Sequence, residues 1–185
     1  MFRPCLLGAV LALSLPAQAA TSLYSDLYGR ACRTVDTDPA SGATTRRCTG
    51  VAGFSLLVHE ARAQTSVDIV TPRGQVWPLE FWEVVTPGLA RVGRKAEWRV
   101  ERRAGRLVPT ALLVRLDVAH EQAHGPRVAP GALMTGTRIA ADGACVVYRG
   151  DGSGPMADTA ARKAVAQPGA RCLGIFTAQA GAAAP

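Results

Sequence analysis

Histidine, lysine and aromatic side chains are scarce in this chain, and each shortage narrows what it can do. The three histidines, His59, His120 and His124, are the only candidate general bases of that type. No G-x-S-x-G string supplies a nucleophile elbow, which argues against the usual serine-hydrolase arrangement. No Lys-Ser or Lys-Thr follows Gly152-Ser153-Gly154, so these glycines do not form a phosphate loop and read as a flexible lead into a helix. There is no C-x-x-C, and the cysteines are not interleaved with histidines at zinc spacing, which counts against a redox pair or a zinc finger. Beyond residue 15 no apolar run reaches the roughly 20 residues of a membrane-spanning helix. Internal repeats and interdomain linkers are missing as well, which leaves a single domain as the expectation.

The amino terminus reads as an export signal over residues 1–19. Arg3 supplies the positive start, Leu6 to Leu15 an apolar run too short to span a bilayer, and Ala17-Gln18-Ala19 the small-x-small cleavage pattern after Pro16. Cys5 has no lipobox ahead of it and leaves with the signal. Residues 20–177 are then expected to form one periplasmic or secreted, soluble domain, with 178–185 an Ala/Gly-rich tail that has little to bury. The formal charge is +7 and falls to +6 without Arg3; lysine is found only at Lys95 and Lys163, so nearly all the positive charge is arginine. Such composition also follows from a GC-rich genome. A positive surface nevertheless favours anionic neighbours such as acidic glycans or lipid head groups, while an exported location argues against nucleic acid as the partner.

Four cysteines remain after the signal: Cys32, Cys48, Cys145 and Cys172. An even count in an oxidising compartment reads as structural disulfides. Of the possible pairings, local chemistry favours Cys32–Cys48 and Cys145–Cys172. The first would close a hairpin around Asp38-Pro39-Ala40-Ser41-Gly42, and the second would tie a strand to the segment after a helix.

Alternation runs through the middle of the chain and predicts a mainly β (or α+β) fold: an antiparallel sheet or meander with one C-terminal helix. Phe54, Leu56 and Val58 share one strand face, and Val67 and Ile69 repeat the pattern. Val76 to Phe81 is expected to be extended after the Thr71-Pro72-Arg73-Gly74 turn. Ala96, Trp98 and Val100 point one way, whereas Lys95, Glu97, Arg99, Glu101 and Arg103 alternate in sign along a face expected to be solvated. Pro109 cannot donate to a ladder, so it marks an edge or a bulge in the strand that follows. Leu133 to Ile139 and Ala144 to Tyr148 complete the sheet. Pro155 suits the first helical position, with Met156, Ala160 and Ala164 as the apolar stripe of a helix stopped by Pro168-Gly169.

The signal peptide together with Cys32-Arg33, Cys48-Thr49-Gly50-Val51-Ala52-Gly53 and Lys95-Ala96-Glu97-Trp98-Arg99 resembles a group of small secreted or periplasmic proteobacterial proteins of unknown function. That resemblance covers most of the mature chain. It implies compartment and architecture, and no activity.

Three features could carry chemistry. His120-Glu121-Gln122-Ala123-His124 matches H-E-x-x-H, in which His120 and His124 would hold zinc and Glu121 would activate water on a helix. Its flanks are a strand and Gly125-Pro126, and no third ligand follows, so a polar loop between strands is the plainer reading. Trp82 beside Glu80 could stack on a sugar or anchor a protein, or simply fill the core. Arg99 and Arg103, within a basic run from Arg91 to Arg106, could face an anionic surface. The sequence therefore reads as an exported, non-catalytic accessory or binding protein of the cell envelope, with no cofactor and no bound metal expected, and with a zinc-dependent hydrolase as the alternative. Exported protein is expected to begin at Ala20, which amino-terminal sequencing checks.

Overall fold

A computed structural model describes residues 20–119 and 131–174. The expected signal at 1–19, the His120–His124 string and the tail at 178–185 lie outside the described residues. No helix among those described is long and apolar enough to cross a membrane.

Antiparallel strands dominate and form two five-stranded sheets. The chain starts with β1 (Thr21–Asp26), then leaves for the other sheet, which is a simple meander of β2 (Cys32–Thr37), β3 (Thr44–Thr49), β4 (Ser55–Ala61), β5 (Gln64–Val70) and β6 (Val76–Pro78). After a single helical turn, α1 (Phe81–Val84), it returns as the long hairpin β7 (Leu89–Arg103) and β8 (Arg106–Ala119), followed by β9 (Gly131–Ile139) and β10 (Ala144–Asp151). β1 pairs with β7, which makes the first sheet β1-β7-β8-β9-β10. Helix α2 (Ala157–Ala166) packs on the far face of that sheet, against β8, β9 and β10.

The expected alternation decides which faces meet. Leu56, Val58, Val67 and Ile69 from one sheet and Ala96, Trp98, Val100, Leu112, Val114 and Leu116 from the other make one buried cluster between the sheets. Each such valine, leucine or isoleucine, taken fully out of water, stabilises the fold by roughly 1.5–3 kcal/mol. A second, smaller cluster joins Ala111, Leu113 and Met134 to Ala157, Ala161 and Val165 of α2.

The disulfides pair as expected. Cys32 faces Cys48 directly across β2 and β3, and Cys145 on β10 is bonded to Cys172 beyond α2. Pro109 sits where the β7–β8 register slips, with Arg99 opposite Ala111 and Val100 opposite Pro109, so Thr110 is the extra residue of a bulge.

Other expectations need correction. Extended structure ends at Pro78, because Glu80 takes a left-handed backbone (φ 49°) and starts α1; Trp82 therefore lies on a helical turn and not on a strand. Helix α2 begins two residues after Pro155, and its buried stripe is Ala157, Ala161 and Val165, one position on from the stripe expected; Met156 is exposed. The face carrying Glu97 is solvated only in part: Lys95 and Arg103 are exposed as expected, but Arg162 of α2 reaches over Glu97, which is only 6 % exposed.

Removing either disulfide by Cys→Ser pairs tests how the fold is held. The closed segments have sequence separations of 16 and 27. Chain entropy then predicts losses of about 3 kcal/mol for Cys32/Cys48 and about 3.5 kcal/mol for Cys145/Cys172 in guanidinium titrations.

Candidate arginine-rimmed cleft

The turn between β3 and β4 is tightly constrained. Gly50 donates its backbone N–H to the Phe54 carbonyl at 3.1 Å, and a Cβ at Gly50 would lie 2.6 Å from that oxygen and 3.0 Å from the Trp98 ring. Gly53 holds φ +81°, with Pro72 packed 3.3 Å from where its side chain would begin. These contacts fix Phe54, whose ring is tilted against both Trp77 (6.3 Å between centroids) and Trp98 (6.0 Å).

Phe54 and Trp77 form the floor of a cleft of about 510 Å³, a volume within the usual range for small-ligand sites. Its other apolar walls include Leu107, Pro109 and Ile139, and the cations Arg73, Arg103 and Arg106 stand around it. No carboxylate is among its lining residues. Arg103 and Arg106 face each other across the two-residue turn Ala104-Gly105, whose positive φ values (48° and 78°) suit a tight hairpin. The Arg103 guanidinium is held by Glu101 at 2.8 Å, while the Arg106 and Arg73 side chains have no hydrogen bond or ion pair among the described residues.

At the β3–β4 turn lies a second groove of about 470 Å³, which shares Phe54 and is lined by Arg30, Arg33 and Arg47, again with no carboxylate among its lining residues. Other grooves differ in this respect, since one includes Glu60 and another Asp151.

The candidate residues named from sequence do not come together. Arg103 reaches the cleft. Arg99 lies on the face of the first sheet that α2 covers, and it is spent on internal bonds: it donates to Ser22 Oγ and to the Ala20 carbonyl and lies 3.6 Å from Glu97. The centre of that network is Glu97, which accepts from Arg162 Nε and Nη2 at 2.7 and 2.6 Å and from the Ser22 hydroxyl at 2.6 Å. Burial pushes the Glu97 carboxyl up, but the hydrogen bonds from Arg162 and Ser22, with the charges of Arg162 and Arg99, outweigh it and hold the group below its ordinary value.

Trp82 is half-buried on the outer side of the second sheet, with its ring edge-on to His59 at 6.3 Å. His59 in turn bridges Thr45 Oγ1 (3.0 Å from Nδ1) and Asp68 Oδ2 (2.8 Å from Nε2). Because a carboxylate only accepts, Nε2 carries a proton; in the neutral ring Nδ1 then accepts from the threonine hydroxyl. The order resembles a hydrolase relay, but Thr45 lies on a strand paired on both sides, so its backbone N–H groups are spent in the ladder and cannot form an oxyanion hole. The chain of bonds ties β3, β4 and β5 together and sets the position of Trp82. Residues 120–124 are outside the described residues, and among those described no group of three or more His, Cys, Asp or Glu could hold a metal.

The cleft residues that sequence reasoning missed are Phe54, Trp77 and Arg73, whereas Arg106 belongs to the basic run it named. The basic run had already pointed at the β7–β8 hairpin, but nothing local placed the Arg73 turn beside it. Compared with protein-family models, with curated proteins and with solved structures, the chain matches none.

Arg162→Ala is expected to leave Glu97 covered and short of its main partner, at a cost of about 2 kcal/mol in denaturant unfolding. The sign with pH follows from the depressed carboxyl. Stability from this group is fully present above the ordinary carboxylate pKa of about 4.3 and is lost as pH falls through the lower folded value. Arg162→Ala should therefore flatten the acid limb of the stability–pH curve, measured by thermal melts from neutral pH downwards.

Proposed function

We propose that this protein is a non-catalytic accessory protein of the cell envelope, periplasmic or secreted, that binds an anionic envelope component at the end cleft. One observation carries the reading: three arginines and no carboxylate around an apolar floor of Phe54 and Trp77. A low-dielectric wall beside cations of which two, Arg73 and Arg106, have no partner among the described residues strengthens their pull on an anion and suits a ligand with both apolar and charged parts. The two disulfides are compatible with an oxidising compartment. The resemblance to small secreted proteobacterial proteins points the same way.

Binding of purified protein to isolated envelope fractions tests the proposal. Pelleting with the fraction is expected at low salt and should weaken as ionic strength rises, because rim charges are screened. The triple variant Arg73→Ala, Arg103→Ala, Arg106→Ala should bind at least about tenfold more weakly, since exposed ion pairs contribute up to about 1 kcal/mol each. Unchanged pelleting by that variant would remove the cleft from the account. Stoichiometric zinc in the purified protein, lost with His120→Ala, would replace the proposal by the hydrolase reading.

A further inference from the structure

The two arginine grooves adjoin at Phe54, and each contains a pair of arginines placed directly opposite each other on neighbouring strands. In the cleft the pair is Arg103 and Arg106, and in the second groove it is Arg33 and Arg47. Directly opposed like charges destabilise a strand pair. The second pair has little internal relief. Among the described residues the Arg33 side chain has no hydrogen bond or ion pair, and Arg47 donates only to the Ser55 hydroxyl, at 3.4 Å. Arg30, in the same groove, is likewise unpaired there.

We infer that the two grooves form one track for an extended acidic polysaccharide, with negative groups repeating along the chain, and not a seat for a single anionic group. This rests on the proposed binding role of the cleft and extends it across the turn at residues 50–54. A lone anion satisfies one arginine pair and leaves the other opposed. A chain carrying repeated carboxylates satisfies both, and the second contact is made at high effective concentration once the first is in place.

The neutral lining also favours a glycan. Gln75 in the cleft and Thr49 and Ser55 in the second groove, none of them buried, offer amide and hydroxyl partners to sugar hydroxyls. Single-stranded nucleic acid would need aromatic faces on which bases stack. Trp77 is 4 % exposed and Trp98 has no exposure, which leaves Phe54, where the grooves adjoin, as a single partly exposed ring and not a row of stacking faces among the lining residues.

The test uses the full-length mature protein with alginate, a polyuronate, as probe: a long oligomer, a disaccharide of the same uronic acids, and single-stranded DNA for comparison, measured by titration calorimetry. The long oligomer should bind at least about tenfold more tightly than the disaccharide, as expected when a second site is engaged within one complex. Arg33→Ala/Arg47→Ala should weaken the long oligomer by about tenfold and flatten its salt dependence, while leaving the disaccharide unchanged. Thermal melts of the variant confirm that it folds; removing opposed arginines, one exposed and one partly buried, should not lower its melting temperature. Equal affinity for long and short probes, or no effect of the Arg33/Arg47 change, overturns the track and leaves the cleft proposal standing if the Arg73/Arg103/Arg106 variant still loses binding. Tighter binding of single-stranded DNA than of alginate overturns the glycan assignment. Absence of binding to any anionic probe, with no salt-sensitive pelleting on envelope fractions, removes both proposals.

Discussion

Trp98 holds the two sheets in register, and the arrangement of everything at the cleft follows from where its ring sits. It is fully buried, so its only polar atom must be satisfied inside; Nε1–H donates to Ser25 Oγ at 3.0 Å. Ser25 is on β1, the strand that opens the described chain, and Trp98 is on β7, which pairs with it. The far edge of the indole meets Gly50 and Phe54 of the other sheet. One side chain therefore joins the early strand, the long hairpin and the β3–β4 turn. Because Gly50 approaches both the Phe54 carbonyl and the ring, the turn has no slack, and Phe54 stands between the two grooves at a fixed place.

Much of this was legible in sequence where the signal is local. Strands announced themselves by alternation, since a strand with one face in a core needs apolar residues at every second position. The Cys32–Cys48 pairing was legible because a turn-rich stretch between two extended segments brings its ends together. Which strands are neighbours was not legible in one important case. The pairing of β1 with β7 joins residues far apart in the chain, from Asp26 opposite Lys95 to Thr21 opposite Val100, and no periodicity encodes a partner at that distance. The burial of Glu97 was hidden for the same reason: its strand looks solvated until α2 docks on it and Arg162 reaches over. The stripe of α2 is one position off the one expected because small residues at 157 and 161 allow the helix to lie close to the sheet, which turns Met156 outward. Trp82 misled the sequence reading, because the left-handed residue Glu80 turned a strand into a helical turn.

Charge is handled in two different ways at two places on the molecule. On the covered face of the first sheet, Glu97 gathers Arg162, Arg99 and Ser22, so the positive charge there is cancelled internally and contributes to docking the helix. At the cleft end no such cancellation exists beyond Glu101 with Arg103. The contrast separates arginines that serve the fold from arginines left for solvent or a ligand, a distinction that the charge pattern along β7 could not make, since Arg99 and Arg103 look alike in sequence.

The opposed arginines raise a physical question about the free protein: what keeps such strand pairs together. Arg33 and Arg47 are next to Cys32 and Cys48, which are bonded across the same two strands. A covalent tie one residue away prevents the repulsion from opening the ladder, so the cost is carried as unrelieved electrostatic energy and not as fraying. Arg103 and Arg106 lie at the tip of a two-residue turn whose positive φ values fix the crossing of the strands, and Glu101 offsets part of their repulsion. In both places the geometry is imposed by something other than the arginines themselves. A groove built this way is preorganised: the cations are already in place and already in conflict, so an anion that enters relieves repulsion without having to order the side chains' strands. The planar guanidinium suits that task better than an ammonium, because it can give a bidentate contact to a carboxylate while its stem stays along the strand.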